Sequence, residues 1–336
     1  MKKNTQHIFV LGFVFLALLP LFFIYFRLTA FQTFPFDNYY DYVLYLDGKR
    51  AYAVLGAPSG YRFAYYGTAF LWYKVLPVIP LSKLAVSENP DEIRALQALA
   101  FTSFLFVYAF FCTVFLLLRN RLNKPAGLSI AVASLMVLLS WYAAPYGADS
   151  LFLFYTALCL YFIKKPYIAG GLILLSPVVN EKIGLVFTFF FLGMLVGEIK
   201  WKQVVFPLLI SVSSVCLYLL IRHWVDLPTG IYTYQTDVFR FWDSVQSSYP
   251  ALVSVKGFYM NWIPFFLLMI LAFAGRRAGI FHKKELYLHP VIQVLPLFLF
   301  GLGIVMCRDF TIGRIAMHAL PFYAVPLCLL MERLDQ

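Results

Sequence analysis

The sequence predicts an all-α, polytopic membrane bundle of about ten transmembrane helices, with membrane-surface helices in its first outer loop. Three observations predict it. The 336 residues are 62% hydrophobic and only 13% charged. Apolar runs of about 20 residues recur to the C-terminus, each long enough to cross a hydrocarbon core of roughly 30 Å as a helix. The few charges are gathered between those runs.

The first span covers about 8–28, behind Lys2 and Lys3. Short Lys/Arg-rich segments mark cytoplasmic loops, which puts the N-terminus inside. This run is too long for a signal-peptide core and has no small-residue cleavage site, so it reads as a retained span. Further spans fall at roughly 98–118, 126–143, 148–163, 167–180, 183–197, 203–221, 257–274, 290–306 and 315–331.

Segment 63–86 is apolar enough to span, but Lys74, Pro77, Pro80 and Lys83 interrupt it. Were it to cross, Arg119, Arg121 and Lys124 would face out, with Lys164, Lys165 and the cluster Arg276, Arg277, Lys283, Lys284. It is therefore expected to stay outside, re-entrant or lying on the surface, within a first outer loop covering 31–97. Fourteen basic and four acidic residues then lie inside, against thirteen and twelve outside, within the net charge of +11. A second large outer loop covers 222–256. The chain, 1–336, reads as one integral membrane domain with both termini cytoplasmic.

This distribution excludes some classes of function. The basic excess orients the protein and offers anionic membrane lipid a cytoplasmic contact, so no nucleic-acid partner is expected. The five cysteines all fall in or at the ends of apolar helices, with no CxxC pair, which suits small buried hydrophobes. No P-loop and no GxGxxG occurs, so ATP-driven and NAD-dependent chemistry has no support.

The outer clusters carry the candidate chemistry. Asp37 follows Pro35 just after the first span, and Asp41 lies one helical turn on, so the two can share a face. Asp37 is also placed to cap a surface helix, and capping is compatible with catalysis. Asp47-Gly48 reads as a turn. Arg62, entering an aromatic-rich stretch, fits either a snorkelling arginine or a fork for a lipid phosphate. Asp149 opens the run after the second outer loop, as a cap or as a functional carboxylate facing the same side as Asp37. Glu181 and Lys182 interrupt a long apolar stretch. They form either a tight outer turn between short helices or a membrane-embedded polar site, where each charge costs about 2.5–3.5 kcal/mol. Near the C-terminus, Arg308, Asp309 and Arg314 sit at an outer helix end with His318 one turn past Arg314. They suit an anionic headgroup, or form a helix-end pair. Loop 222–256 mixes aromatics with Asp226, Asp237 and Asp243, a composition compatible with sugar rings and common to interfacial loops.

In this order the residues resemble the GT-C type of polyprenyl-phosphate-dependent membrane glycosyltransferase. Asp37 matches that family's aspartate after the first span, and 38–97 its first outer loop with surface helices. Asp149 in PYGADSLFLFYTALCLYFIKK matches an acidic residue opening a later helix. Lys182 matches a basic residue, and Arg314 in GRIAMHALPFYAVPL an arginine before a late helix. Tyr61-Arg62-Phe63 and Asn180-Glu181-Lys182 are similar to uncharacterised bacterial multi-span proteins grouped with that fold. The chain departs from the family in having no paired DxD in its first loop and no large C-terminal soluble domain.

The resemblance implies an inverting glycosyltransferase in a bacterial inner membrane, with its active site facing the periplasm or exterior. It implies a polyprenyl-phosphate-linked sugar as donor. Asp37 is then the general base and Asp149 an orienting or metal-assisting carboxylate. Lys182, Arg308 and Arg314 hold the phosphate, with Arg62 and His318 as further contacts and Asp41 and Glu181 as secondary candidates. A divalent cation, Mg or Mn, is allowed by the resemblance but lacks a ligand motif here.

Two other classes compete. A transporter or flippase of a lipid-linked or small polar substrate tends to show internal repeats and mid-membrane charges on several broken helices. No repeat links the two halves, and the charges gather at one face. A non-catalytic assembly partner has no need of acid and base clustered on one face.

Overall fold

The computed structural model describes residues 39–51, 62–76, 89–140, 148–196, 199–225, 246, 248–250, 252–307 and 312–334, with positions 11, 12, 14 and 18 of the first apolar run. Among these residues the fold is all α. Asp37, Arg308, Asp309 and most of loop 222–256 lie outside them.

Two short helices come first, α1 (Tyr39–Leu46) and α2 (Phe63–Val75). Helix α2 has 13 residues, roughly 20 Å of helix, too short to cross a bilayer. The rest of the interrupted segment, from Pro77 on, lies outside the described residues. Helix α3 (Pro90–Leu116) opens with Asn89 accepting from Asp91 N at 3.0 Å, Pro90 in its first turn, and Asp91 and Glu92 against the positive end of its dipole. It runs into a π-turn, Leu117–Arg121. Asn123, at φ 54°, and Pro125 then reverse the chain into α4 (Ala126–Leu139).

Next come α5 (Ala148–Phe162), α6 (Pro166–Leu175) with a 3₁₀ turn at Ser176–Val178, α7 (Lys182–Leu195) and α8 (Trp201–Val225). A π-turn at Phe258–Trp262 leads into α9 (Ile263–Arg277), followed by α10 (Val291–Cys307). The chain ends in α11 (Ile312–Ala316), a 3₁₀ segment Met317–Tyr323 and α12 (Ala324–Leu334).

Each later predicted apolar segment is thus helical over most of its described residues. Among the described residues, four helical stretches are long and apolar enough to cross a membrane: Pro90–Arg121, Gln203–Val225, Val255–Arg277 and Ile312–Leu334. Five shorter apolar helices accompany them. This is the composition of a multi-pass membrane protein.

Helix α5 packs chiefly on α3 and on the 3₁₀ segment. Every position from Ile312 to Cys328 is buried, so this stretch shows lipid no face. Helix α8, by contrast, carries exposed Leu209, Val212, Leu219 and Leu220. It packs on α7 and α6 through small groups, with Ser214 Oγ 3.0 Å from Ser176 Oγ and Thr188 donating to Ser211 Oγ at 3.1 Å. Of the cysteines, Cys159 and Cys328 are buried as expected, whereas Cys216 faces outward from α8.

The two ends of the bundle differ. At one end, Lys124 pairs with Glu332 at 2.5 Å, Arg333 donates to the Ala278 carbonyl, Arg121 lies over Tyr161, and Lys164 lies over Tyr287. The basic loops 119–124 and 164–165, the 276–288 connection and the end of α12 therefore share one end. At the other end, α1, α2 and the start of α3 are clasped by ion pairs. Arg50 joins Asp41 at 2.8 Å to Glu92 at 2.7 Å. Lys49 joins Asp47 at 3.1 Å to Asp91 at 2.8 Å. Lys74 also binds Asp47, and the Tyr73 hydroxyl lies 3.1 Å from both Asp47 and Asp91.

Candidate functional site

A layer of buried charge lies toward the helix ends opposite the basic loops. Its first half is built on the turn between α6 and α7. Pro177 stops the α6 geometry, and Asn180 makes an Asx turn, its Oδ1 accepting from Lys182 N at 3.1 Å. Glu181 and Lys182 are thereby fixed at the start of α7. Glu181 receives both arms of Arg62, Nη2 to Oε1 at 2.7 Å and Nε to Oε2 at 3.1 Å, and Lys182 Nζ stands 3.2 Å from the same carboxylate. Arg62 precedes α2, whose Tyr65 reaches α3 at Ser103 (2.7 Å).

The second half joins α5 to the last helical stretch. Asp149 stands in the first turn of α5, where the helix dipole favours a carboxylate. Its Oδ2 lies 3.1 Å from Arg314 Nε and its Oδ1 3.3 Å from His318 Nε2. Arg314 and His318 are four apart and share a helix face. The His318 ring stacks on Phe152 with centroids 4.0 Å apart. Gly313 makes this placement possible. A Cβ there would lie 2.5 Å from the Met260 and Asn261 carbonyl oxygens, and Gly313 N donates to Asn261 Oδ1 at 3.0 Å.

Asp149 and His318 are 0% exposed, and Arg62, Glu181, Lys182 and Arg314 are all buried. Lys182 lies within electrostatic reach of both Asp149 and His318, which links the two halves. Among the described residues the layer carries three basic side chains against two carboxylates. Several polar atoms in or beside it are buried without a hydrogen-bond partner among the described residues: both Asp149 oxygens, both His318 ring nitrogens, Asn180 Nδ2 and Thr156 Oγ1. Asp149 and His318 thus meet at 3.3 Å without good hydrogen-bond alignment.

The site residues expected from the sequence fall into three groups. Arg62, Asp149, Glu181, Lys182, Arg314 and His318 come together. Asp41 is held instead in the clasp by Arg50. Asp37 and Arg308 lie outside the described residues, so their relation to the layer is not on view. Among the described residues neither Asp149 oxygen accepts a hydrogen bond, so no capping contact from Asp149 to α5 is seen. Phe152 and Asn180 are additions. Phe152 had a signal in its spacing, three residues past Asp149, and Asn180 in its place two before Lys182.

No group of three or more His, Cys, Asp or Glu side chains is gathered as for a metal ion among the described residues. Among the described residues Asp149 has cationic neighbours and no second carboxylate beside it, a poor fit for Mg or Mn, which favour several oxygen ligands. No protein-family model, curated protein or solved structure matches the chain.

Proposed function

We propose that the protein is a glycosyltransferase of the outer membrane face, moving a sugar from a polyprenyl-phosphate donor to an acceptor with inversion. The proposal includes about ten spans, cytoplasmic termini and a place in the inner membrane of a bacterial envelope. The observation that carries it is the convergence of Arg62, Asp149, Lys182, Arg314 and His318, from four separate segments, in one buried layer.

Helix lengths give the layer a depth. Helices α5 and α7 have 15 and 14 residues, roughly 22 and 21 Å, against a hydrocarbon core of about 30 Å. Measured from the basic loops, their charged starts stop short of the opposite membrane surface. A lipid phosphate lying slightly below that surface meets Lys182 and Arg314 at its own level.

In this reading the carboxylates position the three cations and the His318 imidazole. Glu181 holds Arg62 and Lys182; Asp149 holds Arg314 and His318. The acceptor hydroxyl gives its proton to Asp37 as its oxygen attacks the anomeric carbon. The bond from that carbon to the phosphate oxygen breaks, and polyprenyl phosphate leaves with its negative charge facing the basic side chains.

A second reading has its own support. Short helices α6 and α7 meet at a charged turn within the bilayer thickness, an arrangement that also suits a transporter or flippase. Binding of polyprenyl phosphate to the purified protein tests the shared premise. Lys182→Gln and Arg314→Gln are each expected to weaken it about tenfold or more, the worth of a charge-assisted contact. Unchanged affinity in both variants overturns the phosphate site. Movement of a lipid-linked sugar between leaflets without its consumption favours the flippase.

A further inference from the structure

We infer a second binding site, at the basic end of the bundle, for the headgroup phosphate of an anionic membrane phospholipid. Three elements meet there. The π-turn Leu117–Arg121 ends the α3 helix, and the Arg121 guanidinium lies 4.5 Å from the centre of the Tyr161 ring on α5. Lys164, just past α5, stands 5.4 Å from the centre of the Tyr287 ring. Tyr287 belongs to the α9–α10 connection and donates its hydroxyl to the Leu160 carbonyl at 3.3 Å. Arg121 is also within electrostatic reach of Tyr287, so the two cations and two rings form one cluster.

Neither Arg121 nor Lys164 is paired with a carboxylate among the described residues. Lys124, in the same loop as Arg121, shows the contrast, being neutralised by Glu332. The Nε of Arg121 is buried without a hydrogen-bond partner among the described residues. Ring faces hold cations in place without cancelling their charge. A phosphate supplies what is missing, an anion for the Arg fork and for the Lys point charge.

Position selects a membrane lipid as its source. The cluster sits at the ends of apolar helices, and on the same end Tyr167 and Trp201 are 84% and 65% exposed, as residues of an interfacial belt are. Lys165, Arg276, Arg277 and Lys283 are exposed around it, adding the field that draws anionic lipid to such a surface. This site is independent of the charged layer at the other end, and so is its test.

Native mass spectrometry of the full chain, taken from vesicles of equal phosphatidylglycerol and phosphatidylcholine, is the experiment. Wild-type protein is expected to retain phosphatidylglycerol preferentially. Arg121→Gln with Lys164→Gln is expected to lower that retention about tenfold or more, at roughly 1 kcal/mol or more for each cation. Arg276→Gln with Arg277→Gln removes the same charge from exposed positions and is expected to lower retention distinctly less, by its share of the general surface field alone. Lys164 is exposed, so Lys164→Gln alone replaces the first pair if that pair fails to fold, and it must then lower retention by itself. Equal retention of the two lipids by wild-type protein overturns the site. Equal losses in the two double variants do so as well, because they show only diffuse charge.

Discussion

Arg62 holds Glu181 through both arms of its guanidinium, across 119 positions of sequence. Both side chains are almost fully buried. Removing one member of such a pair costs on the order of 3–5 kcal/mol, because the other is left as a buried charge. Lys182 lies 3.2 Å from the same carboxylate and softens that loss when Arg62 is the residue removed. Arg62→Met is therefore expected near the lower end of the range. Glu181→Gln, which withdraws the carboxylate from two cations, is expected near the upper end. The double variant should be less destabilised than the sum by at least about 1 kcal/mol. Thermal unfolding in detergent measures the cycle, and strict additivity would refute the coupling.

The clasp at that end of the protein answers to pH. Asp47 is held at about 2, below its ordinary 3.8, foremost by the hydrogen bond from Lys74 and then, against the cost of burial, by Lys49 and Tyr73. A lowered carboxyl stabilises the fold only where it is ionised. Its contribution is complete above about 4 and is lost as pH falls through about 2. The stability difference between wild-type protein and Asp47→Asn should thus stay flat between about pH 7 and 5 and shrink between about 4 and 2. A difference that already fades above pH 5 would show that Asp47 is not held in this way.

How far the sequence discloses this fold depends on the range of the signal. Helices α4 to α7 are legible because Pro125, Pro166 and Pro177 punctuate apolar runs, and local composition is enough to place them. Partners are another matter. Asp47-Gly48 reads as a turn, and it is one, with Gly48 at φ 72°. Its role as the centre of the clasp depends on Asp91 and Lys74, which reach it only once α2 lies along α3. Arg314 and Asp149 each stood out as charges near apolar runs, but their pairing depends on α11 being buried on every side. The clue to that burial was a late apolar stretch holding Gly313, Arg314 and His318 with no consistent lipid-facing stripe.

One measurement can settle sidedness. Contacts tie loops 119–124 and 164–165, the 276–288 connection and the end of α12 to one end of the bundle, so labelling one of them assigns them all. Lys165 is exposed and has the added merit of lying outside the lipid cluster. In a chain with its native cysteines replaced, Lys165→Cys is expected to resist an impermeant maleimide in intact cells and to react once they are opened. Asn123→Cys should behave alike, although its φ of 54° makes it the more strained choice. Reaction from outside would place the basic loops on the exterior. It would also invert the assignment of the charged layer.

The mechanism turns on Asp37 and Asp41. Asp41 is engaged in structure: its Oδ1 holds Arg50 Nε at 2.8 Å, and Arg50 has a second anchor in Glu92 at 2.7 Å. Asp41→Asn therefore leaves Arg50 one carboxylate and should cost little activity. Asp37, two residues past Pro35 in the segment that follows the first apolar run, is the base in the proposed transfer. Asn in its place keeps the shape and most of the capping ability but accepts no proton. Asp37→Asn is expected to express normally and to lose about 10²-fold or more in turnover, the usual worth of a positioned base. Consumption of polyprenyl-phosphate-linked sugars by membranes carrying each variant is the readout. Loss in Asp41→Asn with full activity in Asp37→Asn would move the base one turn along the chain. Full activity in both would leave the glycosyl transfer without its base, and with that the proposed chemistry would fall.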